Sequence, residues 1–316
     1  MGKLRSPAFL IFLAFFSIYV IWGSTYLLNK IAVTELPPFM LASIRFITAG
    51  ILIFIIAYFM GSKLRVTRKQ LVNSIIAGFL FLSFGNGIIV WALKYVDSSF
   101  AALESSAQPL VVLLLMRILE GKKIKAMSVV GVVLGMVGIF LLVSQKQFMN
   151  QEGTLLGMVM IFVCIISWAY GSLFVVKADL PPNFFVNTGY QMLSAGITLL
   201  VVSFLFREEW TSPSQWSGKV QFSMIALVLF GSIVAFTAFN YLLRTVSPEK
   251  VATSTYVNPV IAMILGWYFL EEQITTQSVI AASVLLIGVY FINTKKKIVM
   301  FSRFSRRIKP LKEKFS

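Results

Sequence analysis

Histidine is absent from the 316 residues, and cysteine occurs once, as Cys164. A lone thiol closes no disulfide within the chain, and without histidine or a second cysteine no Cys/His metal site can be assembled. Charge is scarce too: 13% of residues carry it, and only 12 of those are acidic. With no imidazole and no carboxylate pair suited to acid–base work, the usual means of proton-transfer catalysis are missing. No cofactor, metal or catalytic residue is expected, and a non-enzymatic protein is the reading these absences leave.

The remainder is apolar, with 58% hydrophobic residues and a mean hydropathy of +0.86. Ten stretches of about 18 to 25 residues carry one charge or none, each long enough to cross roughly 30 Å of hydrocarbon as a helix. They lie at 8–28, 39–60, 71–93, 98–116 and 126–144, then at 153–176, 184–206, 222–243, 251–270 and 275–293. Backbone amides cannot stay unpaired in lipid, so these runs read as helices rather than strands. The fold class expected is an all-α integral membrane protein with ten transmembrane helices.

The chain also repeats itself. Residues 91–141 align with 241–291 without a gap, pairing Leu93 with Leu243, Ala102 with Ala252 and Gln108-Pro109 with Asn258-Pro259. Upstream the shift is 146, so that Trp22 falls on Trp168, Arg45 on Gln191 and Ala49-Gly50 on Ala195-Gly196. Two five-helix units follow, Ala8–Ser144 and Gly153–Asn293, with a basic tail from Thr294 to Ser316. Five is odd, so the second unit enters the membrane inverted relative to the first.

Basic residues orient the bundle. Alternate connections and the tail hold 22 Lys and Arg, against 5 in the other connections. That asymmetry puts both termini in the cytoplasm, in a multi-pass protein of a bacterial inner membrane. It also accounts for the net charge of +16 without a nucleic-acid partner. Lys3 and Arg5 precede a run too long for a cleaved signal peptide, and the myristoylation pattern in Met1–Ser6 is read as coincidence. Phe301, Phe304, Ile308, Leu311 and Phe315 sit among cations in the tail, a pattern suited to anionic lipid headgroups. Gly131, Gly135, Gly138, Gly153 and Gly157 mark close helix contacts within the bundle, with homodimerisation as their lesser use.

Two ionisable residues fall inside spans, Arg45 and Glu104. Such residues are costly in lipid and mark function by default. Counted from the outer helix ends, Arg45, Glu104, Trp22 and Asn86 share one layer roughly 10 Å deep. Glu104, Ser105 and Gln108 lie on one helical face beside Pro109, which can kink that helix. The second unit offers Trp168, Gln191 and Asn258 nearer the cytoplasm, all neutral. Bland alternatives are an Arg45–Glu104 pair that serves structure only and a Trp22 that anchors at the interface.

Trp22-Gly23-Ser24-Thr25, Ile44-Arg45-Phe46 with Ala49-Gly50, Trp91-Ala92-Leu93-Lys94-Tyr95, Ala101-Ala102 through Pro109, and Gly135-x-x-Gly138-Ile139 form an ordered set. Together they resemble the EamA family of the drug/metabolite transporter superfamily, over nearly the whole chain as two units. The resemblance implies a ten-helix carrier working by alternating access, commonly exporting amino acids or other small metabolites. The chain departs from the family's pattern at Glu104, where small or apolar residues are frequent.

The function expected is a secondary transporter of a small polar metabolite. Its candidate substrate-binding residues are Trp22, Arg45, Asn86, Glu104, Gln108, Trp168, Gln191 and Asn258. Arg45 would hold a carboxylate, and Glu104 an amino group or a coupling proton. An uncoupled facilitator and a membrane enzyme acting on lipid-linked substrates are the alternatives. Reporter fusions after Asn150 and after Ser316 are expected on opposite sides, periplasmic and cytoplasmic; the same side for both would overturn the inversion.

Overall fold

The computed structural model describes residues 7–121, 126–144 and 152–293. The myristoylation pattern, the tail from Thr294 to Ser316 and the cations Lys122, Lys123 and Lys125 lie outside them. Among the described residues the secondary structure is helical throughout, with no strand. The first half contains α1 (Pro7–Val33), α2 (Pro38–Phe59), α3 (Arg68–Ala92), α4 (Ser98–Glu120) and α5 (Ala126–Val143). The second contains α6 (Thr154–Lys177), α7 (Phe184–Leu205), α8 (Gly218–Thr245), α9 (Ser254–Leu270) and α10 (Thr276–Asn293). α1 to α4 and α6 to α8 are each long and apolar enough to cross a membrane; Met127–Gly138 and Thr276–Gly288 are shorter apolar stretches.

Local sequence sets the helix starts, and in three cases the other half completes them. Pro38 opens α2 at a position whose N–H would be unpaired anyway. The next amides, Phe39 and Met40, donate to the Glu208 carboxylate at 3.1 and 2.7 Å. Ser98 and Ser99, opening α4, donate their amides to Glu272 at 3.0 and 3.1 Å. Ser217, before α8, donates its amide to Glu35 at 3.0 Å. Anions at helix N-termini are favourable because orphan N–H groups and the helix dipole both point at them. The bonds from Ser217 hold the Glu35 carboxyl below the usual range. Asp97, crowded at the same face, is pushed up by burial and by neighbouring Glu272, with Lys30 opposing.

Equivalent helices of the two halves pack against each other antiparallel. Along α2 and α7, Phe39 meets Phe206, Ile47 meets Gly196, Gly50 meets Leu193 and Phe54 meets Gly189. The contacts are reciprocal under the 146-residue shift. A methyl on Gly50 would come within 2.8 Å of Leu193, and one on Gly196 within 2.6 Å of Ile47, the counterparts of one another. α5 and α10 repeat this, with Gly138 against Leu285 and Gln277 bonded to the Leu141 carbonyl. α1 packs on α8 and α9 just as α6 packs on α3 and α4. Self-complementary pairing of this kind is the signature of a two-fold relation. Gly135 against Leu110 and Gly157 against Val96 are likewise contacts within the bundle.

The distribution of polarity is that of a protein in lipid. Phe12, Phe59, Phe140, Leu205, Phe222 and Tyr290 are exposed, while Asn29, Arg45, Asn187, Gln191, Asn240 and Asn258 are buried. Two apolar cores lie inside. One gathers Leu36, Leu93, Val96, Phe100 and Trp216 near the face that carries Glu35, Glu208 and Glu272. The other gathers Ile18, Phe81, Leu180, Phe239 and Leu243 toward the opposite face.

α2 and α7 end in the same motif, in which the residue after the C-cap is left-handed. Gly61 has φ +72° in the first half and Arg207 has φ +54° in the second. The bonds Ser62 N–H to Ala57 and Glu208 N–H to Ser203 close the two ends alike. Glycine suits that conformation; an exposed arginine is strained there. Arg207→Gly is therefore expected to stabilise the protein by about 0.5–1 kcal/mol. A melting temperature in detergent at or below the parent's would contradict this.

Candidate functional site

The third and fourth helices of each half are irregular where they face the interior. α3 widens into a π-helical segment at Phe79–Asn86, and α8 does so at Leu227–Val234. α4 breaks at Ser106 and Ala107, between Ser98–Ser105 and Gln108–Glu120. α9 begins after a break at Ala252 and Thr253, and Pro259 interrupts its interior. Irregular backbone at membrane depth is tolerated where protein buries it or where it lines a cavity.

A cavity lies at these breaks. Both halves build its wall, largely from pairs related by the repeat. Trp22 faces Trp168, with centroids 5.6 Å apart in an edge arrangement. Asn86 answers to Phe236, Leu82 to Ser232, Phe46 to Met192, Ser105 to Thr255 and Gln108 to Asn258. With its nitrogen toward α1, the Asn258 amide donates to the Tyr19 carbonyl at 3.0 Å and to the Ser254 carbonyl at 3.1 Å. The Trp22 indole donates to the Gly231 carbonyl at 3.2 Å. Its counterpart Trp168 rides over Gly85 without an acceptor for its N–H among the described residues.

Arg45 breaks the symmetry. Its side chain is 3% exposed and lines the cavity. Nε donates to Ser232 Oγ at 2.8 Å, and Nη1 reaches Asn29 and Asn86 Oδ1 at 3.4 Å each. The guanidinium also lies 4.9 Å from the Phe46 ring centroid. All these partners are neutral. Nη2 makes no hydrogen bond among the described residues, so both of its N–H donors are unused.

Six of the eight candidates named from the sequence, Trp22, Arg45, Asn86, Gln108, Trp168 and Asn258, line this cavity. Glu104 and Gln191 do not. Glu104 precedes the cavity-lining Ser105 by one residue, about 100° around the helix, and is turned aside. It is 6% exposed and leaves Oε2 without a hydrogen-bond partner among the described residues. It forms no ion pair with Arg45, so the permanent Arg45–Glu104 pair is corrected. Gln191 is fully buried in a polar knot. It donates to Asn187 Oδ1 at 3.0 Å and to Asn240 Oδ1 at 3.4 Å, and Asn240 also bonds Thr188. A glutamine at Arg45's counterpart is too short to reach the cavity and is satisfied locally.

The sequence reading missed Asn29, Ser232 and Thr255. The repeat could have found Thr255, the counterpart of Ser105, whereas Ser232 answers to the apolar Leu82. Asn29 lies two helical turns beyond Trp22 and carried no other signal.

The sequence pattern of the EamA-like transporter family matches residues 8–144 and 155–294. The chain belongs to that family. An Escherichia coli K12 relative named as the uncharacterized inner membrane transporter YedA is 36% identical over 287 residues, 90% of this chain and 91% of YedA. The uncharacterized transporter YoaV of Bacillus subtilis is 22% identical over 284 residues, covering 90% of this chain and 96% of YoaV. A solved crystal structure at 20% identity superposes with a TM-score of 0.69 over 90% of this chain and 96% of its own, a likeness of fold alone. This EamA-family chain is thus a multi-pass integral membrane protein akin to transporters.

Replacing a helical glycine by alanine ordinarily stabilises by up to about 1 kcal/mol. At Gly85 the sign should reverse, because a methyl there would lie 2.4 Å from Trp168 Nε1. Gly85→Ala is expected to destabilise by about 1–3 kcal/mol through overpacking. A melting temperature equal to or above the parent's would show that Trp168 does not define this wall.

Proposed function

We propose that this protein is a secondary transporter that works by alternating access and exports small carboxylate-bearing metabolites, amino acids among them, from the cytoplasm. The observation that carries the reading is the cavity between two antiparallel, reciprocally packed halves, with an unneutralised arginine in its wall. A site on the pseudo-two-fold relation can be offered to either side by rocking one half against the other. We read ten spans in two inverted units, 8–144 and 153–293, with both termini cytoplasmic in a bacterial inner membrane. The inner-membrane relative YedA supports that location. Trp22, Asn86, Gln108, Trp168 and Asn258 shape the substrate site, and Arg45 grips the carboxylate. Glu104, buried beside the cavity, is the side chain that takes up a coupling proton, and Gln191 closes the inner half.

Transport in proteoliposomes with and without a pH gradient tests both parts. The parent should move substrate faster under the gradient. Glu104→Gln, which keeps volume and removes the titratable group, should fold and bind normally but ignore the gradient. A gradient response equal to the parent's would remove Glu104 from coupling and leave an uncoupled facilitator.

A further inference from the structure

The cavity contains one charge and nothing to oppose it. Arg45 is the sole ionised side chain among the lining residues, and no Asp or Glu lines the cavity. The carboxylate that could have balanced it, Glu104, is not among the lining residues. The other polar groups of the wall are neutral. Asn29 and Asn86 point their oxygens at Nη1. The hydroxyls of Thr25 and Ser105 donate to helix carbonyls at 2.7 Å, as does that of Thr255. A ligand ammonium would therefore meet no anion and would feel the guanidinium's repulsion. A ligand anion would meet two free N–H donors on Nη2, in a water-poor setting where charge-assisted hydrogen bonds are strong. Trp22, Trp168, Phe236, Ile89 and Ile165 give the wall a large apolar and aromatic area.

From this we infer that the cavity recognises singly charged organic acids with an apolar body, and that it does not recognise an amino group. The carboxylate seats against Nη2 of Arg45 and the body lies against the paired tryptophans. Deaminated acids bind more tightly than the amino acids of the same skeleton. The inference rests on the cavity being the substrate site, and it narrows that reading from carboxylate-bearing metabolites to organic monoanions.

Three compounds with one phenyl skeleton separate the contributions: 3-phenylpropionate, phenylalanine and phenethylamine. The readout is ligand-induced thermal stabilisation of the purified full-length protein in detergent, titrated to half-saturation. In the parent, phenylpropionate should stabilise most, phenylalanine less and phenethylamine not at all. Arg45→Gln should raise the half-saturating concentration of phenylpropionate by about tenfold or more. Gln108→Glu, which sets a carboxylate into the same wall at unchanged volume, should invert the order in favour of phenylalanine. This second variant keeps the test decisive if Arg45→Gln fails to fold. Phenylalanine binding as well as phenylpropionate in the parent, stabilisation by phenethylamine, or an order unchanged in Gln108→Glu would each overturn the monoanion class. No response to any of the three would overturn it too. Phenylalanine counterflow in proteoliposomes then tells the two readings apart: flux that persists leaves the transporter standing without the anion site, and absent flux removes both.

Discussion

The antiparallel contact of α2 with α7 is the constraint on which the other arrangements depend. Gly50 and Gly196 let the two helices approach until each touches the counterpart of its own neighbour, Leu193 and Ile47. Small residues are what permit such approach in lipid, where burial of apolar surface gives no drive for helices to associate. Once this pair is fixed, the remaining helices have little choice. α1 must settle on the second half's α8 and α9, and α6 on the first half's α3 and α4. The irregular π segments and the broken fourth helices are then brought face to face, and the space they cannot fill is the cavity. Arg45 belongs to α2 and Gln191 to α7, so the same contact places the one charge of the cavity wall.

That placement shows how a membrane protein holds a buried cation without a counter-ion. Three neutral acceptors from three helices share the guanidinium, and the Phe46 ring offers its face. Each gives part of the solvation that water would supply, and the fork is held in one orientation with an edge to spare. A salt bridge to Glu104 would have satisfied Arg45 more fully, but it would have left nothing for a ligand. The second half shows the opposite solution. Gln191, Asn187, Asn240 and Thr188 saturate one another and form a closed polar knot. One scaffold thus carries an open polar site in one copy and a sealed one in the other.

Much of this was legible in the sequence because it rests on long-range periodicity. Runs without charge located the helices, and the shifts of 146 and 150 carried Trp22 to Trp168 and Gln108 to Asn258, which line the cavity together. The failures share a cause. Depth along a helix can be counted from its end. Direction around the axis turns by about 100° per residue, and the break at Ser106 and Ala107 spoils the count from one piece to the next. The sequence puts Glu104 on one face with Ser105 and Gln108, and of these only Ser105 and Gln108 line the cavity. It also could not distinguish Gln191 as a cavity residue from Gln191 as a knot residue, because that depends on how far a side chain reaches from a helix already tightly packed. The cross-half bonds of Glu35, Glu208 and Glu272 were invisible for a different reason: they join residues about 170 to 180 positions apart in loops.

Those three carboxylates give the molecule a mechanical polarity that its pseudo-symmetry alone would not. At one face, the amides of Phe39, Met40, Ser98, Ser99 and Ser217 are all held by acids from the opposite half. Parting the halves there strips helix ends and carboxylates of their partners in a single movement, so that face yields as a unit. At the other face the cross-half ties include Asn183 to Ser62 and Tyr190 to the Leu64 carbonyl, single bonds that can be lost one at a time. Among the described residues, no backbone amide at a helix start of that face is held by a carboxylate of the other half; the Gln70 side chain of α3 bonds Asp179 at 3.3 Å, and Lys177 pairs with Glu120 at 2.6 Å. A rocking motion between two equal halves would therefore meet unequal resistance at its two ends, like a hinge latched on one side and laced on the other.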